Sequence, residues 1–197
     1  MKHLVIVHGW GNTRAQDHWQ RHLAVAARRG GHAVHYPQLP DTETPSFADW
    51  AEVLIAEFEM IADAKSPGDE VLVVTHSLGC STFLKLAVDG HLPLAVDRVL
   101  LVAPADPAVL SDVSSFIVEP NDLVRTALKA HAAEVTIVGS DADPWTPNGV
   151  QATYGDALGL EAVIIEGAKH LALGDGWGYW QGVIDWVNDP SANLTVR

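Results

Sequence analysis

The chain has 197 residues, 48% apolar and 19% charged, a balance that suits one soluble globular domain with a sizeable core. Twelve Lys and Arg against 25 Asp and Glu give a formal charge of −13, which repels nucleic-acid backbones and anionic lipid surfaces and argues against either as a partner. A single cysteine excludes an intrachain disulfide, and the first apolar run is too short for a secretory signal or a membrane span, so the expectation is a cytoplasmic protein.

The first apolar run, His3 to Val7, reads as a strand that ends in a glycine-permissive loop, His8-Gly9-Trp10-Gly11-Asn12. Asp17 to Arg29 then carries apolar positions at Trp19, Leu23, Ala26 and Ala27 and stops at Gly30-Gly31, a left-handed helix-end signal. After a second strand at Ala33 to Tyr36, Ser46 is placed to cap a helix. Its apolar stripe is Phe47, Trp50, Leu54, Phe58 and Ile61, and Ser66-Pro67-Gly68 turns the chain beyond Ala64. A third strand, Val71 to Thr75, leads into a helix reaching Val88.

Further strands are predicted at Arg98 to Val102, Val135 to Val138 and Ala162 to Ile165, and a last helix carries Trp180, Val183, Ile184 and Trp186 to its end near Asn188. The six runs are apolar throughout instead of alternating, as strands covered on both faces are. The fold class is therefore α/β: a six-stranded, mostly parallel sheet with helices on both faces, in one domain spanning 1–197. Ala103 to Pro120 fits no element, and its place after the fourth strand makes it a candidate pocket edge. Residues 189–197 read as a frayed tail.

The chemistry concentrates in Val71-Leu72-Val73-Val74-Thr75-His76-Ser77-Leu78-Gly79-Cys80, where a strand ends abruptly on a serine. A sharp strand-to-helix turn there holds the hydroxyl of Ser77 above the sheet edge, and residues two before and two after must be small to avoid collision. Gly79 meets that requirement. Thr75 stands where the strict pattern has glycine and places a branched side chain in the turn. Cys80 reads as a small buried packing residue.

A serine hydroxyl needs a neutral imidazole to take its proton and a carboxylate to orient that imidazole. Asp143 follows the fifth strand at its carboxyl end, and Pro144 keeps it in the loop; Asp141 and Asp106 are the rivals, the former also readable as a turn residue. His170, directly after the sixth strand, is the candidate base. The other histidines read as structure or surface, and His76, at the apex of the turn, is expected to point away from Ser77 and pack the elbow. The backbone N–H groups of Leu78 and Trp10 are the candidate oxyanion donors, with Gly11 and Trp145 as possible pocket residues. Gly9-Trp10-Gly11 lacks the rest of a dinucleotide or phosphate fingerprint, and no histidine pair has metal-ligand spacing, so neither cofactor nor metal is expected.

With the elbow, Asp143, His170 and the His8-Gly9 loop in that order, the chain resembles the α/β-hydrolase superfamily over essentially its full length. Within it, the early loop, His18-Trp19 and Leu101-Val102-Ala103-Pro104-Ala105-Asp106 are similar to the compact group of YdeN-like bacterial proteins and the retinoblastoma-binding serine hydrolase. The resemblance implies a minimal sheet with little or no lid and a triad of Ser77, Asp143 and His170. The function expected is a serine hydrolase of small acyl esters. The alternatives are a non-catalytic binding module of the same fold, or a peptidase, transferase or lyase.

Overall fold

The computed structural model describes all 197 residues. Six strands, β1 (Lys2–Val7), β2 (Ala33–His35), β3 (Glu70–His76), β4 (Val96–Val102), β5 (Ala132–Ser140) and β6 (Ala162–Ile165), form one sheet in the order β2-β1-β3-β4-β5-β6. Every neighbouring pair is parallel. The order reverses between β1 and β3, which opens a crevice at their carboxyl ends, where α/β sheets bind ligands.

The apolar runs are continuous because alternate residues of each strand bury against opposite layers. Val5, Val7, Val71, Val73, Val99 and Leu101 share a core with α2 (Phe47–Ala64), α3 (Leu78–Val88) and α4 (Asp122–His131). Their neighbours Leu4, Ile6, Leu72, Val74, Leu100 and Val102 pack under α1 (Trp19–Arg29) and the helix Gln181–Trp186. Each strand thus supplies two layers, which is why polar residues are sparse in it. The buried Arg98 donates to the carbonyls of Trp186 (2.7 Å) and Val187 (2.8 Å) and lies over the Trp186 ring, satisfying the end of that helix.

Three local expectations need correction. Ser46 occupies the N-cap of α2 but its side chain makes no capping bond. The last helix is short, Gln181–Trp186, because a separate 3₁₀ turn at Leu173–Asp175 intervenes after His170. Residues 189–197 are not frayed. Leu194 is buried, its carbonyl accepts from the Trp180 indole (2.9 Å), and Gly182 N–H donates to Val196 O (2.9 Å). A Cβ at Gly182 would lie 2.5 Å from Asn193 O, so the missing side chain is what lets the tail dock. The segment 103–120 folds into 3₁₀ turns at Pro107–Val109 and Ser111–Phe116, with Leu110, Val113 and Phe116 anchored in the core. No helix is long and apolar enough to cross a membrane.

Candidate active site

Ser77 sits between β3 and α3 with φ 53° and ψ −123°, a backbone conformation that L residues rarely adopt. Close approach of backbones enforces it. A Cβ at Gly79 would lie 2.7 Å from His8 O and 2.8 Å from Val7 O, and one at Gly9 would lie 2.8 Å from Ser77 Cβ. The N–H of Ser77 donates to Val102 O (3.0 Å), tying the elbow to the end of β4. Thr75 is accommodated. Its side chain is fully buried, with the hydroxyl 3.1 Å from Cys80 Sγ and 3.3 Å from the Leu100 carbonyl.

From Ser77 a continuous chain of polar contacts runs to the ends of β6 and β5. His170 Nε2 is 2.8 Å from Ser77 Oγ, and His170 Nδ1 is 2.8 Å and 3.0 Å from the two carboxylate oxygens of Asp143. Asp143 is buried, and its Oδ1 also accepts from Trp145 N–H (2.9 Å), so the carboxylate is fixed before it meets the imidazole. The rivals do other work. Asp106 caps the Pro107–Val109 turn by accepting from Ala108 N–H (2.9 Å), while Asp141 is exposed and accepts from Gly167 N–H (2.7 Å).

The loop that carries His170 is held by residues the sequence did not single out. Lys169 and Leu171, on either side of it, both have positive φ, 53° and 55°. Asp175 Oδ2 accepts from His170 N–H (3.1 Å) and Ala172 N–H (3.4 Å), and the Trp19 indole donates to Leu171 O (2.9 Å). His76, next to Ser77 in sequence, serves this loop: Nε2–H donates to His170 O (3.0 Å), with the two rings 5.1 Å apart. Burial holds His76 well below the ordinary imidazole range, the nearby His170 and His18 adding to the effect. It therefore stays neutral beside the candidate base.

His8 and His18, read from sequence as structure or surface, are both buried, and desolvation pushes each down to about 4. His8 Nδ1–H donates to Gly9 O (3.0 Å) and its Nε2 accepts from Leu39 N–H (2.9 Å), bracing the loop after β1. Burial raises the Cys80 thiol to about 12, which makes it inert as a nucleophile. No group of three or more His, Cys, Asp or Glu side chains is arranged to hold a metal ion.

Two clefts meet at Ser77 and His170. One, of about 270 Å³, is bordered by Trp10, Gly11, Leu78, Ala105, Leu110 and Trp145, so both pocket candidates and part of the 103–120 segment do line it. The Trp10 and Trp145 rings are 6.3 Å apart, and the Trp10 indole is fixed by donation to Glu43 O (3.0 Å). The second, of about 280 Å³, lies toward Asn12, Thr13, His18, His76 and Leu173. Trp10 N–H has no protein acceptor, and Leu78 N–H is the first of α3, a donor that no intrahelical carbonyl satisfies.

A parallel sheet whose strand ends bring Ser, Asp and His together around a strained elbow is an α/β-hydrolase fold. Residues 4–189 match the serine hydrolase family model, and the chain belongs to that family. In overall structure it is similar to the ydeN gene product from B. subtilis, with a TM-score of 0.77 at 18% identity over 95% of this chain and 97% of that one. A ydeN-like hydrolase from Pectobacterium atrosepticum gives 0.71 at 19% identity, covering 95% and 89% of the two chains. Est1E from Butyrivibrio proteoclasticus, in a structure with ferulic acid bound, gives 0.61 at 15% identity over 96% and 89%. No curated protein sequence matches the chain.

Proposed function

We propose that the protein hydrolyses small carboxylic esters through an acyl-enzyme on Ser77. The observation that carries the reading is the unbroken contact chain from Ser77 Oγ through His170 to the buried Asp143 carboxylate, at 2.8 Å for each closest step. His170 Nε2 takes the serine proton as Oγ attacks the carbonyl carbon, then returns it to the departing alkoxide. Asp143 holds Nδ1–H and stabilises the imidazolium. The N–H groups of Trp10 and Leu78 receive the negative charge of the tetrahedral intermediate, each such donor lowering the barrier by about 3 kcal/mol. Water, activated by the same imidazole, then releases the acid. The apolar cleft beside Trp145 and Leu110 takes the acyl group, and its volume, small among ligand sites, favours short or flat chains.

The test is labelling with a fluorophosphonate, wild type beside Ser77→Ala, followed by hydrolysis of p-nitrophenyl esters of graded length. Labelling of the wild type alone, with turnover falling beyond short chains, is expected. Labelling of both proteins or neither removes the nucleophile assignment. Labelling without turnover of any ester moves the chemistry to another acyl class.

A further inference from the structure

We propose that the second cleft is a leaving-group subsite for a neutral, hydroxyl-bearing alcohol such as a glycerol or sugar moiety, an inference that rests on the ester-hydrolase reading of Ser77. The two clefts share Trp10, Gly11, Ser77 and His170 and differ on either side of them. Leu78, Ala105, Leu110 and Trp145 make one side apolar, while the other, the more polar of the two, sets Asn12, Thr13, His18 and His76 among Ala15, Ala172 and Leu173. An ester straddling Ser77 places its acyl part on one side and its alcohol part on the other.

The hydrogen-bonding state of the polar side is fixed by the protein. His18 Nδ1 accepts from Gln20 N–H (3.2 Å), so the proton of the neutral ring is on Nε2, and that N–H has no partner in the protein. Donation of His76 Nε2–H to His170 O leaves Nδ1 of that ring as an acceptor, buried and without a partner. The rings of His18, His76 and His170 follow one another at 5.7 Å and 5.1 Å, leading from this cleft to the reacting hydroxyl. The His18 N–H, without a partner in an uncharged cleft, suits a hydroxyl oxygen, which an alkyl group lacks. No Lys, Arg, Asp or Glu borders the cleft, and desolvation keeps both rings neutral, so neither a phosphate nor an ammonium group has a counter-charge there.

In the step itself, Ser77 Oγ bonds to the acyl carbon as the bond from that carbon to the alcohol oxygen breaks. The proton taken from Ser77 passes through His170 to that oxygen, and the polyol leaves from the polar side.

The experiment compares kcat/KM for glycerol 1-monobutyrate and n-propyl butyrate, which share acyl group and carbon count, alongside n-propyl glycerate, in which the polar part is the acyl group. Wild type is expected to favour the glyceryl ester over propyl butyrate by about tenfold, the size of one well-made hydrogen bond. In His18→Asn, which keeps an N-cap acceptor for α1 but removes the imidazole N–H, that ratio is expected to fall toward one. A wild-type ratio near one, a ratio unmoved by the substitution, or preference for propyl glycerate over propyl butyrate would overturn the assignment. The wild-type ratio needs no variant to fold. If Ser77 labels and propyl butyrate is cleaved without preference, only the subsite fails; if Ser77 neither labels nor cleaves, the hydrolase reading fails and the subsite with it.

Discussion

Ser77 and His170 lie 2.8 Å apart and are positioned by different physics. The elbow is fixed by exclusion: the backbone carbonyls of Val7 and His8 stand where a side chain at Gly79 would be, and Ser77 presses against Gly9. The histidine loop is fixed by attachment, through Asp175, His76, Trp19 and Asp141 bonding its backbone from four directions. A steric constraint is local and all-or-none, whereas a set of polar ties is graded. Each side also has one buried neutral histidine, His8 in the loop after β1 and His18 against His76.

Those two rings predict the largest effect. Folded, each titrates near 4 against 6.5 for a free imidazole, so between these values the unfolded chain binds more protons than the folded one. Their contribution is complete above about pH 7 and is lost as pH falls through that window, with His76 acting in the same direction. Near the middle of it each ring adds a slope of about 1.4 kcal/mol per pH unit, and by pH 5 the two together cost about 4 kcal/mol. Urea unfolding from pH 7.5 to 5 measures this. His18→Asn should flatten the slope by one ring's share; an unchanged slope would show that the base side carries no such histidine.

The steric side breaks next. Gly79→Ala should cost about 3 kcal/mol in urea and most of the activity, because the new Cβ can be relieved only by moving β1 and with it the Trp10 N–H. If activity survives at wild-type stability, the elbow is not set by exclusion. On the tethered side, Asp175→Ala removes the acceptor for two N–H groups and should cost about 1.5 kcal/mol, with kcat down by about tenfold and KM little changed as the imidazole loses its register. Asp175→Asn, which keeps one acceptor oxygen, should recover part of the kcat; equal losses in both variants would deny the tether its role.

The same difference explains what could be read in the chain beforehand. Six apolar runs and a serine at the end of one carry their own local signal, and Asp143 and His170 follow from the carboxyl ends of the fifth and sixth runs. The ties were illegible because their partners are remote: His76 reaches a carbonyl 94 positions away and Trp19 one 152 away. Asp175 is close in sequence to His170, but nothing in Gly174-Asp175-Gly176 distinguishes it from a turn residue. The tail failed for a related reason. Its polar composition suggests fraying, and its docking depends on the absent side chain of Gly182 and the reach of the Trp180 indole.

Thr75 supplies the smallest and most discriminating effect. If its branched side chain crowded the elbow, removing the methyl group should relieve strain and leave the protein as stable or more so. Its surroundings argue the reverse: the side chain is fully buried, its hydroxyl faces Cys80 Sγ and the Leu100 carbonyl, and Cys80 Sγ itself faces Val102 O at 3.4 Å. Thr75→Ser keeps the hydroxyl and deletes one buried methyl, so it should lower stability by about 1 kcal/mol with kcat unaltered. A gain in stability or turnover would mean that the threonine strains the nucleophile. A loss of stability alone would mean that the elbow tolerates any residue two places before the serine whose side chain packs into the fold beneath the turn.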